Sequence, residues 1–147
     1  MKRLILLIAL LVGALCNVSA QDRLHPAHTP TSKSDKVKSF ITQMYNNKLY
    51  EDYAFLQKHC SAELLKKLRD AYPYDTDGIA YATWLFRSGL QDSKPGADDK
   101  TIMLEIKADG DWFVYTALDM GWKFTNRIKV TNKGGEIIIE DICAVKE

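Results

Sequence analysis

The sequence has 147 residues, of which 46% are hydrophobic and 27% are charged, and its formal net charge at pH 7 is +1. A disordered tail, a collagen-like fibre and a coiled coil are excluded, because the apolar content is high, Gly and Pro are few, and no heptad persists. Recognition of nucleic acid by charge is excluded as well, since it needs a clustered excess of Lys and Arg.

The first 20 residues have the pattern of a secretory signal peptide. Lys2 and Arg3 form a positive start, residues 4–15 form an uncharged apolar stretch, and residues 18–20 end in the small residues at which such peptides are cut. The apolar stretch is shorter than the about 20 residues that cross a membrane. Cleavage after Ala20 removes both cations, so the net charge of the mature chain falls from +1 to −1. We therefore expect an exported protein, periplasmic or secreted, without a transmembrane span.

The three cysteines have different expected roles. Cys16 ends the apolar stretch and raises the alternative of a lipid anchor, but Leu15 before it is larger than the residue that lipoprotein signals prefer. Cys60 and Cys143 are the thiols of the mature chain, and in an oxidising compartment we expect them to pair in a structural disulfide. The alternative is a catalytic thiol at Cys60 with the adjacent His59.

A leader and three helices are predicted in the first half. Residues 21–33 contain two prolines and no apolar period, which predicts a flexible leader. The first helix begins at the N-cap Ser34 and carries an apolar stripe with i, i+3 and i+4 spacing. A short second helix is predicted over 50–58. The third begins at the N-cap Ser61 and is stopped by Pro73.

The second half changes to strand patterns. The aromatic run 79–86 predicts a strand, with a helix as the alternative. Asp109-Gly110 and Gly134-Gly135 predict tight turns, and residues 120–121 predict a bend. This order predicts an α+β fold in which three N-terminal helices pack on a curved, mainly antiparallel sheet of four to five strands, within a single domain over 34–147. Alternating apolar and polar residues predict the other strands, at 102–107, 112–118, 122–130 and 136–145.

This order of elements and five short segments resemble the nuclear transport factor 2-like superfamily of cystatin-like α+β domains and, within it, an exported bacterial domain of unknown function. The resemblance implies a cone-shaped fold in which a curved sheet encloses the helices around a pocket, and a homodimer as one possible assembly. It implies no particular chemistry, because the superfamily contains isomerases, dehydratases and domains that only bind partners. The segments are SAELL at 61–65, YDTD at 74–77, WLFR at 84–87, DMGW at 119–122 and GEIIIEDI at 135–142.

Aromatic residues are the candidates for a ligand pocket. Their rings offer contact area, and Trp and Tyr add a polar group. The alternative is that these rings fill the core, because strands favour aromatic residues whatever the function. The pocket candidates are Tyr45, Trp84, Trp112, Tyr115, Trp122 and Phe124.

A tyrosine beside a desolvated aspartate would indicate proton-transfer chemistry. A buried Tyr can polarise a carbonyl while a carboxylate moves a proton, as in isomerases. Asp119 and Asp141 are the acids whose strand positions suit this role. The tyrosines on or near the helices are Tyr45, Tyr53, Tyr72 and Tyr74. No catalytic motif of the superfamily matches this chain residue by residue, so no catalytic role is carried over to it.

Two metal-like patterns are incomplete. The residues 75–78 resemble part of a calcium loop, but its first and twelfth positions would be Pro73 and Trp84 instead of carboxylates. His25 and His28 have a spacing that suits a shared metal and lack a third ligand. We therefore predict no metal and no cofactor.

The absence of phosphate loops, zinc-ribbon cysteine pairs and a serine-hydrolase elbow lowers the expectation of an enzyme. The sequence favours an exported, non-catalytic binding module that takes a small apolar or amphipathic ligand, or a protein partner on its exposed sheet. One alternative is a small isomerase-like or dehydratase-like enzyme with a Tyr/Asp site inside the cone. Another is an envelope immunity or accessory protein that acts by surface contact.

Overall fold

The computed structural model describes residues 32–74, 76–87 and 93–145. In these ranges three helices precede one antiparallel sheet of four strands in the order β1-β2-β3-β4, which confirms the predicted α+β class. The predicted signal peptide, residues 1–20, and all but the last two residues of the predicted leader lie outside the described residues. The elements are α1 (Lys33–Asn46), α2 (Tyr53–His59), α3 (Ala62–Asp70), β1 (Thr101–Asp109), β2 (Trp112–Asp119), β3 (Trp122–Lys133) and β4 (Glu136–Ala144).

Side-chain caps decide where the three helices begin. Ser32 caps α1 in place of the predicted Ser34, so this helix starts inside the segment predicted as leader. Asp52 caps α2, and the residues before it form a separate 3₁₀ turn, so the helix starts three residues later than predicted. Ser61 caps α3 as predicted, with its hydroxyl accepting from the Leu64 N–H. Among the described residues, no helix is both long and apolar enough to cross a membrane.

The prediction of a strand over 79–86 is wrong. This segment is irregular and ends in a 3₁₀ turn, Thr83–Phe86. The carbonyls of Leu85 and Phe86, which a strand would use in a ladder, accept from the side chain of Asn126 on β3. Tyr81 and Phe86 are buried. An apolar run predicts burial correctly, but it does not distinguish a strand from a buried turn that closes one end of the core.

Burial alternates along β2 and β3, which places one face of the sheet against the helices. Tyr115 lies opposite Asn126 in the register, and the inward positions also include Asp119. Two polar side chains, Asp119 and Asn126, are therefore buried on the same face as the apolar core. The apolar members of this face are Phe113, Ala117, Phe124, Ile128 and Val130.

The predicted disulfide is absent, because Cys60 and Cys143 are both free thiols. Cys60 is buried and pairs in a parallel bridge with Ile139, four residues before Cys143 on β4. Four residues of strand span roughly 13 Å, whereas the Cα atoms of a disulfide lie within about 7 Å. The alternative of a catalytic thiol is also not favoured, since burial raises the pKa of Cys60 to about 12 and leaves the thiol protonated at neutral pH.

Candidate functional site

The structure does not bring together the six aromatic residues predicted for a pocket. The rings of Tyr45 and Tyr115 are buried and stacked, with centroids 4.0 Å apart, and Phe124 packs beside both. Tyr45 and Tyr115 fill the core, which was the alternative interpretation of the aromatic pattern, whereas Phe124 packs on them and also borders a cavity. The tryptophans lie elsewhere: Trp84 and Trp112 are half-buried, and Trp122 is exposed at the β2–β3 turn.

A buried ion pair joins the turn after Phe86 to the sheet. Asp119 is 1% exposed, and its two oxygens accept from Arg87 Nε at 2.8 Å and from Thr101 Oγ1 at 3.3 Å. Arg87 Nη1 also lies 3.8 Å from a carboxylate oxygen of Glu51. Burial acts to lower the pKa of Arg87, but the hydrogen bond and charge of Asp119 outweigh it, so the pKa is raised. Arg87 is therefore a fixed cation whose charge is already balanced.

Asn126 lies beside this pair and is fully buried. Its amide nitrogen donates to the hydroxyl of Tyr45 at 3.2 Å and to the carbonyl of Phe86 at 3.0 Å. The carbonyl of Phe86 can only accept, so this contact fixes which end of the Asn126 amide is nitrogen. The oxygen consequently points to the other side and acts as an acceptor.

Four buried polar atoms of this region have no hydrogen-bond partner among the described residues: Tyr50 Oη, Arg87 Nη2, Tyr115 Oη and Asn126 Oδ1. Burial raises the pKa values of Tyr45 and Tyr115 above the ordinary range, so both hydroxyls stay protonated. A buried donor or acceptor without a partner costs about 1–3 kcal/mol. Four of them in one region are more than a native core usually leaves unsatisfied, and ordered water or an ion is a common way in which such groups are satisfied. We call Tyr45, Arg87, Tyr115, Asp119 and Asn126 the polar cluster.

A cavity of about 210 Å³ borders two members of the polar cluster, Arg87 and Asn126, and we call it the Asn126 cavity. A second cavity, of about 230 Å³, shares Arg87 and Ala144 with it and extends to Trp84 and Cys143. The walls of the Asn126 cavity combine polar and apolar groups, so it suits a small amphipathic molecule. Its lining includes Arg87, Lys123, Phe124, Asn126, Ala144 and Val145.

A larger groove, of about 600 Å³, lies between α3 and the sheet, and we call it the Trp112 groove. The indole of Trp112 is covered by the guanidinium of Arg127, 5.0 Å from the ring centroid. Lys67 pairs with Asp141 at 2.7 Å, and Glu140 lies 3.6 Å from both Lys129 and Lys133. The hydrogen bond from Thr131, followed by these lysines, lowers the pKa of Glu140.

Part of the predicted Tyr/Asp arrangement is brought together, because Tyr45 and Asp119 are both buried in the polar cluster and the charge of Asp119 adds to the effect of burial in raising the pKa of Tyr45. Asp119 is held there by Arg87 and Thr101. Asp141 is half-exposed and accepts from Lys67 and from the Ile142 N–H. Tyr53 and Tyr74 are exposed, and Tyr72 is half-buried.

The two residues that define the Asn126 cavity were not among the predicted site residues. The alternation of β3 places Asn126 at an inward position between Phe124 and Ile128, and a polar residue at such a position is a detectable signal. Nothing in the sequence around Arg87 indicated a buried polar site, although Arg87 ends the segment 84–87, one of the five that carry the family resemblance.

Metal binding has no support from these contacts. In the ranges that the structure describes, no group of three or more His, Cys, Asp or Glu side chains is placed to hold a metal ion. His25, His28 and Asp75 lie outside those ranges.

Comparisons of this chain with protein-family models, with curated proteins and with solved structures found no match. The class of this protein rests on its structure alone, which is an α+β domain with a polar cluster buried between its helices and its sheet. The resemblance to nuclear transport factor 2-like domains stays a prediction.

Proposed function

We propose that this chain is an exported, non-catalytic binding module of the nuclear transport factor 2-like type, and that it holds a small amphipathic ligand in the Asn126 cavity. The observation that carries this proposal is the cavity itself, which is bordered by the polar residues Arg87 and Asn126 and by the apolar side chains of Phe124, Ala144 and Val145. Cavities that combine apolar walls with a few polar residues are typical sites for small molecules.

The chemistry of the site favours binding over catalysis. A general base must be able to reach a substrate proton, whereas Asp119 is 1% exposed and is held by Arg87 and Thr101. The tyrosine hydroxyls are held protonated by burial, which suits donation of a hydrogen bond and opposes transfer of a proton. A ligand in the cavity would thus be oriented and desolvated without being activated.

Binding in the Asn126 cavity predicts a variant-specific response to small probes. We expect a set of four-carbon amides, acids and ketones to shift the ¹⁵N–¹H signals of the Asn126 side chain and of Thr125 in the mature protein recovered after export. Ala144→Phe, opposite Asn126 in the register, should fill the cavity and remove these shifts. Ala54→Phe, at an exposed position of α2, should leave them unchanged.

Two results of that experiment would contradict the proposal. One is that no probe in the set shifts the signals, and the other is that Ala144→Phe and wild type respond alike. Export is checked on the same sample, because intact mass shows whether residues 1–20 have been removed. A protein that keeps these residues and stays in the cytosol would contradict export without affecting the cavity.

A protein partner on the Trp112 groove is a second candidate function. The supporting observation is an indole in a groove whose other walls carry three lysines and three carboxylates, since interfaces are enriched in Trp at their centre and have a polar rim. The net charge of these six ionisable side chains is zero, so a partner would need both signs of charge.

Truncation of Trp112 tests this second function. If a stoichiometric partner is isolated from envelope extracts, Trp112→Ala is expected to weaken its binding by about 2 kcal/mol, or roughly 30-fold, as for a central interface residue. Trp122→Ala is the matched control, because this indole is exposed at the β2–β3 turn and does not line the groove. Isothermal titration measures both. Equal losses in the two variants would rule out the groove as the docking site.

A further inference from the structure

We infer that the outer edge of β1 pairs with β1 of a second copy of this chain, in antiparallel orientation around a twofold axis at Ile106. β1 lies at one edge of the sheet, and among the described residues β2 is its only neighbouring strand. No backbone hydrogen bond from another described segment reaches residues 101–109. The Asn126 cavity and the Trp112 groove contain no residue of β1, so this inference is independent of the proposed function.

The first half of β1 exposes apolar side chains at this edge. Ile102, Met103 and Leu104 follow one another and are 54%, 40% and 51% exposed. An exposed apolar edge strand is a template for pairing with another chain, and soluble proteins usually protect such an edge with charged side chains or a cover. The charged side chains of β1 before its last residue, Glu105 and Lys107, lie in its second half. The apolar half therefore favours contact with another strand.

The hairpin turn fixes which backbone groups of β1 face outward. Asp109 and Trp112 flank the two-residue turn and pair with each other, and residues at this position exchange their backbone hydrogen bonds. The direction of these bonds alternates along a strand, so Lys107 and Glu105 also bond to β2. The N–H and C=O groups of Ile106, between them, consequently point away from β2, where a second strand can bond to them.

The charges on either side of Ile106 match a second copy of the same strand. In a twofold dimer the same surface of both copies meets, so an axis at Ile106 sets Glu105 opposite the partner's Lys107 and Lys107 opposite the partner's Glu105. These are non-hydrogen-bonded pairs, in which facing side chains come closest. The two side chains are 52% and 67% exposed and bond to each other at 2.8 Å, so both are accessible to a partner strand.

Other positions of the axis are less favourable. An axis at Glu105 would set two carboxylates opposite each other, and an axis at Lys107 would set two ammonium groups opposite each other. Like charges directly opposite destabilise a strand pair. An axis at Leu104 would leave both charges without an opposite charge across the pair, and an axis at Ala108 would leave most of β1 unpaired. Charge and overlap together therefore select the axis at Ile106.

Charge reversal tests this pairing. Sedimentation of the mature protein gives the monomer–dimer dissociation constant, and we expect a weak dimer because the paired segment is short. Glu105→Lys and Lys107→Glu each set like charges opposite each other and should raise this constant at least about tenfold. An equal mixture of the two variants brings opposite charges together again and should form dimers as the wild type does. Lys66→Glu, at an exposed position of α3, is the control and should leave the constant unchanged.

Three results would overturn the inference. A wild-type protein that stays monomeric at millimolar concentration would show that a second copy does not occupy this edge, which would then be left to an extended segment of another protein. A dimer that neither charge reversal weakens would have its interface elsewhere. Variants that stay monomeric after mixing would show that their loss of pairing does not come from the charges of Glu105 and Lys107. None of these results affects the proposal for the Asn126 cavity.

Discussion

Replacing Arg87 by methionine is expected to lower the free energy of unfolding by about 3 kcal/mol, because it leaves the buried carboxylate of Asp119 without its counter-charge. Asp119 is 1% exposed. After the loss of Arg87, it would keep the hydrogen bond from the Thr101 hydroxyl at 3.3 Å. Urea denaturation followed by circular dichroism measures the change. Lys66→Met is the matched control: its pair with Asp70 is exposed on α3, so its loss is expected to cost less than about 1 kcal/mol.

The double variant Arg87→Met with Asp119→Leu separates the burial of a lone charge from a general loss of packing. Replacing both members of a buried ion pair by apolar side chains is often neutral, so the double variant is expected to recover most of the stability lost by Arg87→Met. A double variant that is as unstable as the single one would show that packing of the Arg87 stem, rather than the charge of Asp119, causes the loss.

The elements with strong local signals were predicted well from the sequence. Alternation and the Gly-containing turns predicted β1 to β4 in order, because a period of two and a positive φ at Gly110 are properties of a few consecutive residues. Ser61 was predicted as a cap for the same reason, since its hydroxyl bonds to an N–H three residues later. Helix starts set by competing caps, such as Ser32 against Ser34, were missed by two or three residues.

The elements that depend on distant contacts were not predicted. Whether the run 79–86 becomes a strand depends on Asn126, 40 residues away from Phe86, whose side chain occupies the carbonyls of the turn. The prediction of a disulfide was wrong because Cys60 pairs with Ile139 on β4 and not with Cys143. The spacing of the two cysteines along the sequence does not reveal which residue of β4 lies beside Cys60.

The candidate site could be predicted only in part. An inward asparagine on β3 is visible in the alternation, but its partners are not. Arg87 and Asp119 are separated by 32 residues, and their pairing requires that the segment after α3 fold back on the end of β2. Aromatic content predicted Tyr45 and Tyr115 as pocket residues, although their stacking at 4.0 Å makes them core. A ring on an inward strand position serves either role, and only the packing of the helices decides between them.

Buried hydroxyl and thiol groups are expected to make the fold unstable in alkali. Burial raises the pKa values of Tyr50 and Cys60 to about 12, and it also raises those of Tyr45 and Tyr115. In the unfolded chain these groups ionise near their ordinary values of about 8.5 for Cys and about 10 for Tyr. Between pH of about 9 and 12 the unfolded chain has thus released protons that the folded chain retains.

The sign of this effect follows from proton linkage. When the folded chain binds more protons than the unfolded chain, stability falls as the pH rises, by up to about 1.4 kcal/mol per pH unit for each group. We expect the urea midpoint to be steady from pH 7 to 8 and to fall steeply from pH 9 to 11. Cys60→Ala should shift the onset of this fall upward, because the thiol ionises first in the unfolded chain. Tyr74→Phe is the control, since Tyr74 is 85% exposed. If Tyr74→Phe reduces the loss of stability in alkali as much as Cys60→Ala does, burial is not its cause.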